Sequence, residues 1–335
     1  MVDSKQAPLD SAAAAKAAFA SVQDKPFPDD IFTAPELRWA VIGCGVIANQ
    51  MAQSLALAGR KLAGVANRTL SKAQAFAEQY GIEKVYESVE DLYADPGIDA
   101  VYITTPHNTH ITYLRDALAA GKHVLCEKAI TLNSAELDEA RAIADEHNVV
   151  LMDATTVLHM PLYQELRRRM DAGEFGRMNL AQLNFGSYKE YGDLTNRFYN
   201  RNLAGGAMLD IGVYALSVMR LFMASQPIEV VSLGNTCETG VDVAGGIVCR
   251  NAEQQLGVVG LTLHSKQPKR SIISFDKCYI EVNEYPRADH ATIVWTADGH
   301  REEVHAGTEA YALCYEMADL EKAVAGDDSK RELLG

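Results

Sequence analysis

The sequence predicts an α/β protein: a doubly wound parallel sheet followed by an α+β domain with a mostly antiparallel, open-faced sheet. Apolar strands alternate with amphipathic helices over residues 36–154, which is typical of a parallel sheet covered on both faces. A glycine-rich turn, residues 43–48, joins the first strand to the first helix. From residue 176 onward strands follow one another with few helices, as in an antiparallel sheet.

The glycine-rich turn reads Gly43-Cys44-Gly45-Val46-Ile47-Ala48. Between a buried strand and a helix, Gly-x-Gly-x-x-Ala is the fingerprint of the dinucleotide-binding Rossmann fold. We therefore predict that a dinucleotide places its pyrophosphate at the helix N-terminus. The five consecutive residues expected to contact it are Gly43, Cys44, Gly45, Val46 and Ile47. A strand-to-helix turn without a ligand is the alternative.

The predicted chain has three segments: an N-terminal extension (1–35), a dinucleotide-binding domain (36–154) and a substrate-binding and dimerisation domain (155–335). An alanine-rich helix is expected at 12–20 in the extension. Strands of the second segment are predicted at 37–42, 62–66, 85–86, 100–104, 123–126 and 149–152. Helices between them are predicted at 46–57, 71–80, 89–93, 109–120 and from about 133.

In the third segment strands are predicted at 178–185, 229–236, 246–250, 256–263, 271–275, 279–282 and 292–296. A helix at 208–223 interrupts them, and a last helix at 309–325 has one apolar face. Because an antiparallel sheet can leave one face open, we expect that face to form a homodimer or homotetramer.

Composition limits the partners and the location. The chain has 335 residues and a net charge of −14, which argues against nucleic acid or an anionic membrane as partner. No signal peptide and no apolar run of about 18 residues is evident, so a cytoplasmic protein without a membrane span is expected. The 6 cysteines form no Cys-x-x-Cys pair, so no metal site is predicted.

The end of the second strand points to the cofactor. A carboxylate there would bind the ribose 2′-hydroxyl of NAD, but the chain has Asn67, Arg68 and Thr69. Arg68 and Thr69 can hold a 2′-phosphate, which favours NADP while NAD remains possible. Alternatively, Arg68 is solvated and stacks on adenine without selecting a cofactor.

Three polar side chains are candidates for the chemistry. Lys128 follows the fifth strand, where a cation would lie near the nicotinamide and stabilise an alkoxide. Asp210 and Tyr214 are four residues apart, so a helix places them on one face. The alternatives are a surface lysine, a helix-capping aspartate and a packing tyrosine.

Three motifs together resemble the glucose–fructose oxidoreductase / inositol dehydrogenase / rhizopine-catabolism (Gfo/Idh/MocA) family of NAD(P)-dependent oxidoreductases. They are Gly-Cys-Gly-Val-Ile-Ala (43–48), Ala-Gly-Lys-His-Val-Leu-Cys-Glu-Lys (120–128) and Gly-Gly-Ala-Met-Leu-Asp-Ile-Gly-Val-Tyr (205–214). The resemblance covers about 37–325. Its tyrosine motif is similar to the branch containing glucose–fructose oxidoreductase and dimeric dihydrodiol dehydrogenase.

The resemblance implies roles for individual residues. It implies that Lys128 lies beside the nicotinamide and that Asp210 and Tyr214 occupy the Asp-x-Gly-x-Tyr positions. It also implies cofactor contacts in two loops, from Thr105, Pro106, Asn108, Glu127 and Lys128. Ala129 replaces the family's proline, and we expect a trans peptide bond before it because cis bonds are rare outside proline.

The expected reaction is hydride transfer between the nicotinamide and a carbonyl or hydroxyl carbon of a sugar-like or cyclic-diol substrate. Tyr214 would be the general acid/base, with Lys128 lowering a pKa of about 10 toward neutrality, and Asp210 would orient the substrate or Lys128. Arg197 and Arg201 are equal candidates for a substrate contact or for solvated loop residues. A non-catalytic dinucleotide-binding sensor or a scaffold of the same fold is the alternative function.

Overall fold

A computed structural model describes residues 11–332, and side chains over 17–330. The first sheet contains β1 (Trp39–Ile42), β2 (Gly64–Ala66), β3 (Lys84–Tyr86), β4 (Ala100–Ile103), β5 (His123–Cys126) and β6 (Leu151–Asp153). All its pairings are parallel, in the order β3-β2-β1-β4-β5-β6. This is the doubly wound arrangement that the sequence predicts, with the change of strand order between β1 and β4.

Helices cover both faces of this sheet. After α1 (Ser11–Val22), which belongs to the N-terminal extension, they are α2 (Val46–Leu57), α3 (Leu70–Tyr80), α4 (Val89–Ala94), α5 (His110–Ala119) and α6 (Ser134–Glu146). Every residue of β1 and β4 is buried, which explains their uninterrupted apolar sequences. The side chain of Asn133 accepts a hydrogen bond from the Glu136 backbone N–H and begins α6 as the capping pattern predicts.

The second sheet has eight strands in the order β14-β13-β12-β11-β7-β10-β9-β8. Its elements are α7 (Pro161–Asp171), β7 (Met178–Gly186), α8 (Val213–Phe222), β8 (Pro227–Thr236), β9 (Asp242–Asn251), β10 (Leu256–Thr262), β11 (Gln267–Phe275), β12 (Cys278–Asn283), β13 (His290–Trp295) and β14 (Arg301–His305). Among the described strands of this sheet, only β7 and β10 pair in parallel, so the sheet is mostly antiparallel, as predicted. The sequence did not predict β14, because its residues are mainly charged.

A π-helical turn, Met208–Gly212, leads directly into α8. The combined segment Arg201–Phe222 is one described helix that, by length and composition alone, could cross a membrane, with mean hydropathy 1.3. We expected no such segment, because we counted uninterrupted apolar residues. In the structure α8 buries Ala215, Val218 and Met219 in the core beneath the second sheet, and a core helix meets the same criterion.

The last two helices are α9 (Ala312–Val324) and α10 (Asp328–Glu332). Although α9 follows the second sheet in sequence, Leu313, Met317 and Leu320 pack in one cluster with side chains of the first sheet and α2. Its buried Glu321 accepts hydrogen bonds from Arg60, at 2.6 Å, and from the indole N–H of Trp39. These contacts join the end of the chain to its first strand.

The N-terminal extension packs on the body. Val22 and Ile31 share a buried cluster with Tyr311 and Cys314 at the start of α9. Phe27 lies edge-on to Tyr311, with ring centroids 5.0 Å apart. The helix predicted at 12–20 corresponds to α1. Residues 1–10 of the extension lie outside the described part of the chain.

Candidate active site

The glycine turn is shaped to receive a dinucleotide. Gly43 has φ +103°, and a Cβ there would lie 2.8 Å from Thr104 Oγ1, so only glycine fits. A Cβ on Gly45 would meet nothing within 4 Å, which leaves open space where a pyrophosphate would approach. No side chain caps the N-terminus of α2, so its first N–H groups can bind phosphate oxygens. Cys44, Val46 and Ile47 complete this turn.

The residues after β2 form a short turn into α3. Asn67 Nδ2 donates a hydrogen bond to the Thr69 carbonyl oxygen at 2.9 Å, which fixes the turn. Arg68 and Thr69 are exposed, and the Thr69 side chain does not cap α3. Lys72, one turn further, lies close enough to Cys44 to lower that thiol's pKa, although burial raises the pKa overall to about 11. We did not expect Lys72 from the sequence as a second cation here.

The loop after β4 joins the cofactor edge to the second sheet. Thr109 Oγ1 donates a hydrogen bond to Thr105 Oγ1 at 2.8 Å, and Pro106 begins the following 3₁₀ turn. Asn108 Oδ1 is buried without a hydrogen-bond partner in the described chain. A buried amide oxygen without a partner is suited to accept a hydrogen bond from a bound ligand.

Lys128, Asp210 and Tyr214 come together where β5 and the π-helical turn meet. Lys128 Nζ donates a hydrogen bond to the Asp210 carbonyl oxygen at 2.7 Å and lies 3.5 Å from its Oδ1. The same Nζ is 4.9 Å from the centroid of the Tyr214 ring. The Lys128 and Asp210 side chains are only 12% and 10% exposed. Because both side chains are largely shielded from water, the charge interactions between them are stronger than at the surface.

The charges at this cluster set the protonation states. Burial would lower the pKa of Lys128, but the charges of Tyr214, Asp210 and Glu127 outweigh it and raise that pKa. Burial would raise the pKa of Asp210, yet the neighbouring cations, Lys128 first, lower it. At neutral pH the pair is therefore an ammonium beside a carboxylate.

The pKa of Tyr214 is raised, in contrast to our expectation that Lys128 would tune it toward neutrality. Burial of the phenol is the largest cause, and Lys128 opposes it only in part. Tyr214 is therefore a protonated phenol at neutral pH, which can donate a proton. The burial of this phenol is set by the tertiary fold, so the sequence alone did not allow its effect on the pKa to be compared with that of Lys128.

Two features flank Lys128. The Lys128–Ala129 peptide is cis, contrary to our expectation of a trans bond. The Ala129 carbonyl oxygen lies 2.9 Å from His110 Nδ1, on the first turn of α5. On the other side, the buried Tyr102 hydroxyl donates a hydrogen bond to Glu127 Oε1. The contact of Ala129 with His110 and that of Glu127 with Tyr102 hold the segment that follows β5 and contains Lys128.

A small, open pocket lies beside Asp210. Its lining residues are Pro106, His107, Arg197, Phe198, Leu203, Ala204, Gly205 and Asp210. Arg197 is thus at the site, whereas Arg201 is exposed and does not line this pocket. Burial, with Lys128 nearby, lowers the pKa of His107 to about 4, so its ring is neutral.

From the sequence we expected the loops that contain His107, Lys189 and Phe198 near the site, but we did not single out these three residues. The pKa of Asp210 is lowered by Lys189 and by His107, so both lie near its carboxylate. The signal for His107 was present, since it stands between the predicted residues Pro106 and Asn108. Phe198 and Lys189 lie in a long loop, and no local pattern indicates where such a loop folds back.

A parallel sheet with a glycine turn at its carboxyl edge, facing a lysine–carboxylate–phenol cluster, defines a dinucleotide-binding oxidoreductase. The family model for an oxidoreductase family with an NAD-binding Rossmann fold matches residues 37–155, and the GFO/IDH/MocA C-terminal domain matches residues 163–281. The chain belongs to the Gfo/Idh/MocA family of NAD(P)-binding oxidoreductases. The predicted family, fold and enzyme class are therefore confirmed.

Several curated relatives share one activity name. Trans-1,2-dihydrobenzene-1,2-diol dehydrogenase of Mus musculus is 32% identical over 254 residues, 74% of this chain and 75% of the relative. The Homo sapiens enzyme of that name is 36% identical over 210 residues, 62% of each chain.

Solved structures share the fold at lower identity. A 3-ketoreductase from Actinomadura kijaniata, in complex with NADP and TDP-benzene, matches with TM-score 0.76 and 24% identity, over 89% of this chain and 95% of that chain. Levoglucosan dehydrogenase, in complex with NADH and levoglucosan, matches with TM-score 0.78 and 20% identity, over 86% and 90%.

Proposed function

We propose that this chain transfers a hydride between a nicotinamide and a carbonyl or hydroxyl carbon of a sugar-like or cyclic-diol substrate. The observation that carries this proposal is the Lys128–Asp210–Tyr214 cluster beside the glycine turn, with Lys128 Nζ 2.7 Å from the Asp210 carbonyl oxygen. The names of the relatives, a dihydrodiol dehydrogenase and enzymes of sugars, support both substrate classes.

Each side chain has a separate role in this proposal. When bound, the nicotinamide supplies or accepts the hydride. Lys128 stabilises negative charge on the substrate oxygen, because its ammonium is protonated and partly shielded from water. Tyr214, as a protonated phenol, donates the proton in the reducing direction, and its conjugate phenolate accepts a proton in the oxidising direction. Asp210 keeps Lys128 in place through its main chain and orients a substrate hydroxyl through its carboxylate.

We propose NADP as the preferred cofactor, with NAD as the alternative. Gly43, Cys44, Gly45, Val46 and Ile47 would hold the pyrophosphate at the start of α2. The exposed Arg68 and Thr69 would hold the 2′-phosphate, and no acidic side chain stands between Asn67 and Lys72 to repel it. Thr105, Pro106, Asn108 and Glu127 would contact the nicotinamide half.

We propose a homodimer or homotetramer formed through the open face of the second sheet. Val231 and Leu233 on the edge strand β8 are 71% and 83% exposed, and Val231 pairs with the exposed Val248 of β9. Contiguous exposed apolar side chains on a sheet favour association with another protein surface. The six cysteines are free, which supports a reducing compartment, the cytoplasm, as the location.

A coupled assay tests this function. Oxidation of NADPH or reduction of NADP is followed with a panel of aldoses, anhydrosugars and trans-cyclohexanediols, beside the same panel with NAD. We expect turnover with at least one class and none in the Lys128→Met variant. Cofactor-dependent thermal stabilisation without turnover on any class would instead indicate the sensor, and no stabilisation by either cofactor would indicate the scaffold.

A further inference from the structure

Three cations act on the Asp210 carboxylate at the substrate pocket. Arg197 Nη2 lies 3.4 Å from Asp210 Oδ1, and Lys128 Nζ lies 3.5 Å from the same atom. Lys189 also acts on this carboxylate, since it lowers the pKa of Asp210. This clustering of cations around one carboxylate stands out in a chain whose net charge is −14.

Phe198 holds two of these cations side by side. Lys189 Nζ and the Arg197 guanidinium carbon each lie 4.3 Å from the centroid of its ring. An aromatic face attracts cations, so the ring stabilises a pair that would otherwise repel. Phe198 and Arg197 both line the pocket beside Asp210, and Lys189 contacts the same Phe198 ring.

The guanidinium of Arg197 has capacity for a further partner. Its side chain is 54% exposed, and within the described chain its hydrogen bond to Asp210, at 3.4 Å, is long. Arginine offers five N–H donors in a planar fork that matches carboxylate and phosphate oxygens. A neutral diol would use little of this fork.

We propose that the pocket recognises a sugar-like substrate bearing an anionic substituent, a carboxylate or a phosphate, and that Arg197 and Lys189 bind that substituent. This inference rests on the proposed function and specifies its substrate class. The anionic group would lie beside this pair, with the reacting carbon beside Lys128 and Tyr214. The same pair would attract such substrates from solution into an otherwise acidic protein.

The test compares aldohexoses with their C6 acids and C6 phosphates, using the full chain with NADP. We expect kcat/KM for at least one charged series to exceed the neutral series by about 10- to 100-fold, as for charge-assisted hydrogen bonds. That advantage falls as ionic strength rises, whereas neutral substrates show no such dependence. Preference for acids or for phosphates identifies the source of the anion.

Arg197→Gln and Lys189→Gln should each lower kcat/KM for charged sugars through KM by a larger factor than for neutral sugars, and so reduce the preference. Arg201→Gln, in the same loop but outside the pocket, is the matched control and keeps the preference. Equal kcat/KM for charged and neutral sugars would overturn the inference while leaving the proposed function intact. An equal loss on both series in Arg197→Gln would also overturn it, because that residue would then only position Asp210.

A binding measurement decides the case in which no sugar is turned over. With NADP present, D-glucuronate or D-glucose 6-phosphate should raise the melting temperature more than D-glucose, and Arg197→Gln should abolish the difference. No difference in the wild-type protein contradicts the inference independently of catalysis.

Discussion

Lys128 is held by the main chain of Asp210 more closely than by its carboxylate: Nζ is 2.7 Å from the carbonyl oxygen and 3.5 Å from Oδ1. The position and the charge state of the lysine therefore depend on different parts of the same residue. Asp210 lies within the π-helical turn Met208–Gly212, which leads directly into α8; such turns are frequent at functional sites.

Asp210→Asn should preserve the position of Lys128 and change its protonation. The Asp210 charge raises the pKa of Lys128, so its removal lowers that pKa. If the ammonium is required, the alkaline limb of the kcat profile moves to lower pH in this variant. The measurement is kcat against pH from 6 to 10, with Arg201→Gln as control. An unchanged alkaline limb would show that Lys128 does not govern it.

Tyr214→Phe should reduce kcat by about 10²- to 10⁴-fold, the usual contribution of a positioned acid or base. Binding of NADP should change little, since the phenol belongs to the substrate side of the cluster. Tyr113→Phe, on α5, makes the same chemical change elsewhere and should retain full activity. Equal activity of the two variants would remove Tyr214 from the proton-transfer role.

Arg68→Gln should weaken NADP about tenfold or more and leave NAD nearly unaffected, because a charge-assisted contact to the 2′-phosphate is lost. Thermal stabilisation by each cofactor, titrated side by side, gives the two dissociation constants. Lys61→Gln, at the opposite end of β2, controls for the loss of a surface charge. Equal weakening of both cofactors would mean that Arg68 stacks on adenine and does not select.

Glu316→Gln should stabilise the protein at alkaline pH. Glu316 is fully buried in α9. Its carboxylate oxygens lack hydrogen bonds of good geometry, although Thr156 lies nearby. Burial, together with the charge of Glu127, raises the pKa of Glu316 from 4.5 to about 8. The folded state thus keeps a proton that the unfolded chain releases. The free energy of unfolding of the wild-type protein, relative to that of the glutamine variant, therefore falls as the pH rises from 4.5 to about 8, by up to about 1.4 kcal/mol per pH unit.

Urea unfolding of both proteins at pH 5 and pH 8.5 measures this difference. The variants should be close at pH 5 and separate at pH 8.5, with glutamine the more stable. Glu146→Gln, an exposed carboxylate at the end of α6, should show no such pH-dependent difference. A constant offset at both pH values would indicate that Glu316 does not titrate in this window.

Leu233→Arg should dissociate the assembly proposed for the open sheet face. Leu233 is 83% exposed on β8, so the substitution costs little within one chain, but it would bury a charge in an interface. Light scattering after size exclusion measures the molar mass, and Glu87→Arg controls for added charge. A wild-type protein that is already a 36.5-kDa monomer would refute the assembly.

The sequence was sufficient for most of the first sheet, because its strands are apolar runs and its helices have start and stop residues. The limits of α2 were predicted to the residue, since Gly45 marks its start and the periodicity continues to Leu57. Local signals failed where tertiary contacts decide. The charged strand β14 forms only by pairing with β13, and the π turn carrying Asp210 has no sequence signature. Arg197 and Arg201 were equivalent in sequence, and only the fold of their loop separates them.

The position of α9 has a consequence for synthesis of the protein. The strands of the first sheet leave the ribosome well before the helix that contacts Trp39 and packs against α2, because the whole second sheet lies between them in sequence. At about 5–20 residues per second, one apolar face of that sheet remains uncovered for on the order of ten seconds or more. A nascent chain of this protein is therefore expected to depend on a chaperone that holds that face until α9 emerges.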